Sequence, residues 1–371
     1  MSSPLSPDDR RLLGHALDLA LRGEGRTCPN PMVGAIVVRE GRIVGSGFHA
    51  RAGEAHAEAA ALDDAAGAAA GADMYVSLEP CCHHGRTPPC TDRIVAAGIR
   101  RVVAAVGDPN PLVNGRGFAR LSEAGVLVAP LDPLFAKRAG RMNEVFFKFI
   151  TTGIPFVALK AGMTLDGRIA LGSGASRWIT GAPAREHARG MRGCYGAVLI
   201  GAGTAIVDDP LLLPAAVRVV LDSQLRLPVA ARLAASAREG RVIVYASHGA
   251  EDAKARALEA AGVEIARLGP GRPALPLVLS DLASRGVSSI LVEGGGEVLG
   301  AFLREGLADK VHLYVAPKLL GGRDSVPAFG GPGPAGLEEA LELEDSVVRR
   351  IGGDVLIEAY PRLAGRRAEH R

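Results

Sequence analysis

His56-Ala57-Glu58, followed by Glu79-Pro80-Cys81-Cys82-His83-His84-Gly85-Arg86-Thr87-Pro88-Pro89-Cys90, is the stretch around which the rest of the chain is organised. One imidazole (His56) and two thiolates (Cys81, Cys90) make a three-ligand tetrahedral zinc site whose fourth position stays open for water, the pattern of a catalytic rather than a structural zinc. That composition points to metal-activated water.

Zinc lowers the pKa of its bound water to about 7. Replacing an amino group on an aromatic ring also needs a group that carries protons to the ring nitrogen and the departing amine, and Glu58 is placed to be that general acid and base. Residues two apart on a helix point roughly 200° from each other, so His56 and Glu58 face one metal only at a helix start. Residues 57–70 are a mostly helix-forming run that Gly53 precedes, which predicts such a start. His-x-Glu with a later Pro-Cys-x-x-Cys is the signature of zinc deaminases, the Glu not being a ligand. Here eight residues separate Cys81 from Cys90, so the spacing is a variant. Taken singly, a His-x-Glu is a common chance pattern and a cysteine in an Ala-rich chain an ordinary buried thiol. Pro-Cys at the end of an apolar run, with Pro-Pro-Cys beyond it, favours the metal.

At 371 residues the chain has room for two domains, each with its own core. Aromatics make up only 4% of it, so those cores are built from Val, Leu, Ile and Ala. No apolar run approaches the ~18 residues of a membrane helix, and the first residues show neither a basic head nor an apolar stretch. Five cysteines in such a chain suit a reducing compartment, so a cytoplasmic enzyme without disulfides is expected. A net charge of +3, with no basic run interleaved with aromatics, argues against nucleic acid as a partner.

Taken in order, helical spacing over 7–21 precedes the rigid loop Cys28-Pro29-Asn30-Pro31 and a strand pair, 33–38 and 42–48, turning at Glu40-Gly41. Asn30 is either a turn residue or a polar group held towards a ligand, and His49 either a surface histidine or a pocket residue. Residues 74–78 read as a buried strand delivering Cys81 at its C-terminal end, where sites on open α/β sheets collect. Asp108-Pro109-Asn110-Pro111 follows a strand over 101–106, and a helix over 134–149 closes the half. Thr151-Thr152-Gly153-Ile154-Pro155 reads as a linker, which predicts domains at 1–150 and 151–371. In the second half, strands over 156–161, 197–200, 217–221, 241–245, 289–292 and 311–315 alternate with helices over 184–192, 252–261, 277–285 and 297–304. That alternation implies a mainly parallel sheet covered on both faces. Val292-Glu293-Gly294-Gly295-Gly296-Glu297 is a strand ending in glycines that opens a helix, either a tight turn or a phosphate cradle of backbone N–H groups. Asp208-Asp209 is a loop cap or a ligand pair.

The whole chain resembles one family, the bifunctional deaminase and reductase of riboflavin biosynthesis. The matching motifs are Asn30-Pro31-x-Val33-Gly34, His56-Ala57-Glu58, Leu78-Glu79-Pro80-Cys81, His83 to Cys90, Asp108-Pro109-Asn110-Pro111, Thr164-Leu165-Asp166-Gly167-Arg168, Trp178-Ile179-Thr180, Asp208-Asp209-Pro210, Val292-Glu293-Gly294-Gly295 and Ala316-Pro317-Lys318-Leu319-Leu320-Gly321. The resemblance implies an α/β chain of two three-layer domains, the N-terminal one cytidine-deaminase-like and the C-terminal one similar to dihydrofolate reductase. It implies zinc and NADPH as cofactors, a phosphorylated pyrimidine as substrate and a homo-oligomer. The first domain would hydrolyse the 2-amino group of 2,5-diamino-6-(5-phosphoribosylamino)pyrimidin-4-one, and the second would reduce the ribosyl group to ribityl.

By the same resemblance, His56, Cys81 and Cys90 are zinc ligands, Glu58 is the proton shuttle, and Asn30, His49, His83, Arg86, Asp108 and Asn110 form the pyrimidine pocket. Lys160, Ser176, Arg192, Leu212 and Glu293 would contact the reductase substrate. Gly162, Met163, Trp178, Thr204, Asp208, Ser223 and the loop Gly295, Gly296, Glu297, Val298, Leu299, Gly300 and Ala301 would contact NADPH. Two departures stand out. Cys82 replaces the family's usual Ser beside a zinc ligand, and is the nearest candidate for a fourth ligand if the zinc were structural. After Asp208-Asp209-Pro210, Leu211-Leu212-Leu213-Pro214-Ala215-Ala216 runs straight into Val217, with Ala215 where a phosphate-binding Arg is expected. Arg192 remains, Arg218 or Arg226 is a nearby substitute, and Arg218, at a strand start, is expected to be solvated. A reductase that binds its substrate weakly is therefore expected beside an intact deaminase.

Overall fold

The computed structural model describes residues 5–84 and 88–362. The chain forms two compact units, one ending at Gly153 and the next starting at Ile154.

The first unit opens with α1 (Pro7–Ala20), started by a capping box in which the Ser6 hydroxyl accepts from the Asp9 N–H and the Asp9 carboxylate accepts from Ser6. The hairpin β1 (Gly34–Arg39) and β2 (Arg42–Phe48) follows, turning at Glu40-Gly41 as its sequence predicts. Then come α2 (Ala57–Asp64), β3 (Asp73–Val76), α3 (Cys90–Ala96), β4 (Arg101–Ala104), α4 (Arg116–Glu123), β5 (Leu127–Val128), α5 (Pro133–Met142) and α6 (Glu144–Thr152). The sheet order is β2-β1-β3-β4-β5, with β1 antiparallel to both neighbours and β3, β4 and β5 parallel. Because successive strand residues point to opposite faces, Ala35, Val37, Met74, Val76, Val102 and Ala104 pack with α2, α3 and α4. Ile36, Val38, Tyr75 and Val103 pack with α1 and α5. The result is three layers.

Two helices differ from what the sequence predicts. The helix read over 57–70 stops at Asp64: Ala66 and Gly67 sit at φ 46° and 89°, and that left-handed backbone ends the Ala run despite its helix propensity. The helix read over 134–149 is two helices split at Asn143. The Asn143 side chain accepts from the Met32 N–H at 2.8 Å and donates to the Met32 carbonyl at 2.9 Å. A tertiary contact thus occupies the group at the break and pins the chain beside Asn30.

The second unit comprises β6 (Phe156–Thr164), β7 (Arg168–Ala170), α7 (Ala182–Met191), β8 (Ala197–Gly201), α8 (Ala202–Asp208), β9 (Val217–Leu221), α9 (Arg232–Ala235), β10 (Arg241–Ala246), α10 (Asp252–Ala260), β11 (Glu264–Arg267), α11 (Leu275–Ser284), β12 (Ser289–Val292), α12 (Gly296–Arg304), β13 (Lys310–Ala316), β14 (Val326–Pro327), β15 (Leu343–Ile351) and β16 (Asp354–Pro361). Its main sheet runs β11-β10-β9-β8-β12-β6-β13-β16-β15. It is parallel from β11 through β13, and the hairpin β15–β16 adds an antiparallel edge. On one face Val157, Leu159, Leu199, Ile243 and Val292 pack against Val278 and Leu282 of α11 and Phe302 of α12. Fully burying each such side chain contributes about 1.5–3 kcal/mol. On the other face Tyr314 and Leu356 pack against Ala184 of α7.

Arg218 overturns the expectation of a solvated residue: it is 1% exposed. Its guanidinium donates to the Ser236 hydroxyl at 2.6 Å, the Ser236 carbonyl at 2.9 Å and the Gly240 carbonyl at 2.5 Å, with a longer contact to Leu211 O. The strand start is covered by the 232–240 segment, so burial is set by tertiary packing that the strand alone does not reveal.

Candidate active sites

His56 is the N-cap of α2, with φ −70° and ψ 158°, and Glu58 lies in its first turn. The extended backbone at the cap lets the imidazole and the carboxylate converge, as the helix-start reading requires. β3 delivers Cys81 beyond its C-terminal end, and Cys90 is the first residue of α3. The His56 Nδ1 lies 3.5 Å from Cys81 Sγ and 3.3 Å from Cys90 Sγ, and the three ligand atoms all fall within 4.8 Å of one another. Tetrahedral coordination with Zn–S about 2.3 Å and Zn–N about 2.0–2.1 Å spans an N···S edge of about 3.6 Å, so this donor set fits zinc. The Cys81 thiol is pushed well below its ordinary range, first by the Cys90 thiol donating to it and also by His56, while Cys90 is raised in turn. Such a pair is a ready thiolate for a cation.

Glu58 is 4% exposed, and burial followed by the neighbouring Cys81 pushes its carboxyl up to about 7. A group poised there holds and releases a proton with equal ease at neutral pH. His49, also buried, places its ring edge-on to His56 at 5.7 Å. Its Nδ1 lies 3.0 Å from the Ala55 carbonyl, which only accepts, so Nδ1 carries the hydrogen. Nε2 is then the acceptor for the Asn30 amide N–H at 3.2 Å. Asn30 closes a turn, its N–H donating to the Thr27 carbonyl at 2.8 Å, while its side chain pairs with His49, which is buried rather than on the surface.

Asp108 is 7% exposed; burial, together with Glu79 and Cys81 nearby, pushes its carboxyl up to about 6. It accepts from the Asn110 N–H at 2.8 Å. The His83 Nδ1 and Thr91 Oγ1 are buried with no hydrogen-bond partner among the described residues. Arg86 lies outside the described residues. Cys82 sits 3.9 Å from the Leu112 carbonyl and is not in the converging group, so among the described residues no fourth protein ligand joins the three. The sequence reading gave no role to Glu79, which is 2% exposed and accepts four backbone N–H groups. The available signal was a carboxylate closing an apolar strand, since a buried charge must find partners.

In the second unit Gly162 and Met163 lie near the C-terminal end of β6, Thr204 and Asp208 in α8 after β8, Ser223 just beyond β9 and Glu293 just beyond β12, the expected place on a parallel sheet. Glu293, following β12, holds Arg192 through two bonds of 2.7 and 2.8 Å and Lys160 of β6 at 3.4 Å. Burial alone would raise the Glu293 carboxyl, but Lys160 and Arg192 outweigh it and hold the group below its ordinary range. Gly295, at φ 61°, ends the strand and opens α12, and a Cβ there would lie 3.4 Å from the Thr204 hydroxyl of α8. The glycine loop and Thr204 therefore share one wall. Gly162 lies against Thr180 in the same way, and Met163 continues β6.

Ser176 and Trp178 sit on an exposed segment whose Trp178 ring is covered by Arg185 at 4.2 Å, while Lys318 donates to its carbonyl. Ser223, just beyond β9, takes two bonds from Ser247 at its carbonyl. The Asp208 carbonyl accepts from Arg177, and the Asp209 carboxylate accepts from the Arg232 N–H at 2.8 Å. Asp209 is thus a loop cap. In the shortened loop Leu212 is 2% exposed at φ 57°, and Ala215 is buried.

A model of the cytidine and deoxycytidylate deaminase zinc-binding region matches residues 6–106, and one of the RibD C-terminal domain matches residues 155–357. The chain is 42% identical over 354 residues to the riboflavin biosynthesis protein RibD of Bacillus amyloliquefaciens, covering 94% of this chain and 95% of that one. It is 39% identical over 368 residues to the Escherichia coli protein of the same name, covering 94% and 98%. Among solved structures, Acinetobacter baumannii RibD superposes with a TM-score of 0.84 at 35% identity, covering 96% of this chain and 99% of that one. The deaminase/reductase of Thermotoga maritima gives 0.82 at 35% identity, covering 95% and 99%. With a deaminase zinc region, a reductase domain and full-length relatives all matched, this chain belongs to the RibD family of bifunctional riboflavin biosynthesis enzymes, which use zinc and NADPH.

Proposed function

We propose that the two sites run consecutive steps on one phosphorylated pyrimidine. The first, in a domain spanning residues 1–150, removes the 2-amino group of 2,5-diamino-6-(5-phosphoribosylamino)pyrimidin-4-one by hydrolysis and releases ammonia. The second, in residues 151–371, reduces the ribosyl group of the product to ribityl. The observation that carries the first step is the convergence of the His56 Nδ1 with the Cys81 and Cys90 sulfurs beside the buried Glu58.

His56, Cys81 and Cys90 would hold the zinc, which would supply the Lewis acid that brings a water to a pKa of about 7. Glu58 would carry two protons in turn, the first from the water to the ring nitrogen as the water oxygen adds to the ring carbon, and the second from the added hydroxyl to the amino group, which leaves as ammonia. Asn30 presents its Oδ1 to a ring N–H, fixed in that sense by His49. Asp108 and Asn110 hold the ring from the loop beyond β4. In the second site NADPH, when bound, would supply the hydride. The N-terminus of α12 and its glycines receive the cofactor's phosphates, while Lys160, Arg192 and Glu293 form a buried polar cluster that orients the sugar. No helix among the described residues is long and apolar enough to cross a membrane, and a cytoplasmic location fits a site that uses two cysteines as thiolates. A homo-oligomer fits the exposed edge strand β15, where Val347 and Val348 are 51% and 64% exposed.

The test is to supply the diaminopyrimidine nucleotide, zinc and NADPH to the purified protein. Ammonia release followed by NADPH consumption supports the reading. Failure to release ammonia from zinc-loaded protein would overturn the first step, and failure to oxidise NADPH on deaminated substrate the second.

A further inference from the structure

We infer that Glu79 is a positioning residue for the deaminase, tying the metal-bearing segment to the loop that holds the ring. The inference rests on the deaminase reading of this site. Glu79 lies two residues before Cys81 and is 2% exposed. Its Oε2 accepts from the Asp108 N–H at 3.1 Å and the Gly115 N–H at 3.0 Å, and its Oε1 from Gly117 at 2.8 Å and Phe118 at 3.2 Å. A single carboxylate therefore gathers both ends of the 108–118 segment. Two of the four donors belong to the first turn of α4, where backbone N–H groups lack helical partners and favour an anion.

The far side of this clamp is equally close. A Cβ on Gly117 would run into the Pro80 carbonyl and come within 3.0 Å of Glu79 Oε1. Glycine at 117 is what lets α4 approach the Pro80-Cys81 backbone. The held loop then carries Asp108, whose carboxylate receives the Asn110 N–H, and Asn110, whose side-chain oxygen receives the Leu112 N–H. Ring pocket and metal segment thus move as one body. A substrate whose ring sits correctly in the pocket meets the metal-bound water at a fixed distance, which is the condition for an efficient attack.

Loosening the clamp lowers the fraction of enzyme with a formed pocket. A smaller competent fraction raises the apparent KM by the inverse of that fraction and leaves kcat at saturation nearly unchanged. A role confined to general stability, or to holding the metal, would do the opposite and lower zinc content and kcat together.

Two variants test it. Glu79→Gln keeps the volume but sets an amide donor against two of the four N–H groups, and Gly117→Ala pushes α4 away while leaving Glu79 intact. In both, zinc per chain and NADPH oxidation on deaminated substrate should stay at wild-type levels. The KM for the diaminopyrimidine nucleotide should rise about tenfold or more, while kcat falls less than about threefold. Hydrogen exchange gives a readout independent of catalysis: the amides of Asp108, Gly115, Gly117 and Phe118 should exchange about tenfold faster or more in Glu79→Gln, with those of β3 unchanged. Unchanged exchange at those four amides overturns the inference, as does zinc loss in step with kcat at constant KM. If wild-type enzyme released no ammonia, the deaminase reading would fall, and the exchange result would still decide whether Glu79 holds the loop.

Discussion

Replacing Glu293 by glutamine strikes the most concentrated charge cluster of the second unit. The Glu293 side chain is 6% exposed, against 21% for Arg192 and 16% for Lys160, so all three are largely desolvated. Glutamine keeps the shape and one acceptor, but turns an amide donor towards Arg192 and leaves two buried cations without a counter-charge. Breaking a buried pair costs about 3–5 kcal/mol, and the residual exposure of the two cations argues for the lower end. At about 2–4 °C per kcal/mol for a domain of this size, 3 kcal/mol lowers the melting temperature of the second unit by about 6–12 °C. The carboxyl's folded pKa lies below its ordinary value. Its stabilisation is therefore complete above the ordinary glutamate pKa of about 4.3 and is lost as pH falls through the folded value. The assay is thermal unfolding of wild type and variant at pH 7 and at several values below 4, with NADPH oxidation measured alongside. A gap at pH 7 that narrows on acidification is the expected result. A shift of less than about 2 °C at pH 7, or one that does not change with acid, would refute the reasoning.

Three further outcomes follow from the two sites. Glu58→Gln should abolish ammonia release while zinc, measured by atomic absorption, stays bound; loss of the metal would make Glu58 a ligand. Cys82→Ser should leave zinc content and deamination nearly unchanged, because its sulfur faces the Leu112 carbonyl rather than the other three ligand atoms; a metal-free variant would revive a structural zinc. The KM for the deaminated substrate should exceed that of a relative carrying the phosphate-binding Arg in place of Ala215 by about tenfold to a hundredfold, the effect of losing one charge-assisted contact of about 1.5–3 kcal/mol. Arg192 is already engaged by Glu293 and Arg218 is buried under the 232–240 segment, so neither is a free replacement. Equal KM values would show that the shortened loop costs nothing.

The zinc centre was legible because its chemistry is local: a histidine and a carboxylate two residues apart demand a helix start, and a strand end supplies the first cysteine. The parallel core of the second unit was legible for a similar reason, since buried strands such as Ser289–Val292 are short apolar runs bounded by turn residues. What escaped depends on distant partners. Asn143 breaks a helix where its side chain meets Met32, more than a hundred positions away in sequence. Glu79 reads as one letter of a motif until its four donors are seen together. The hairpin β15–β16 was missed because every residue of β15 before Ile351 is exposed, so no alternation of apolar and polar residues marks it.

The loop after Pro210 carries a lesson for anyone wishing to rebuild it. Within five residues the chain is moored at the Asp209 carboxylate by the Arg232 N–H, at the Leu211 carbonyl by Arg218 and at the Leu213 carbonyl by Arg192. Between the last two moorings Leu212 holds a buried, left-handed turn. Grafting the missing residues into such a segment would not simply add an arginine, because the inserted length has to be accommodated by releasing at least one mooring. Arg218 would then be stranded under its cover, and lysine is no remedy, since a single ammonium lacks the spread of donors that its guanidinium uses. Transplanting the whole 209–240 stretch from a longer-looped relative is the smaller disturbance, even though it changes more residues.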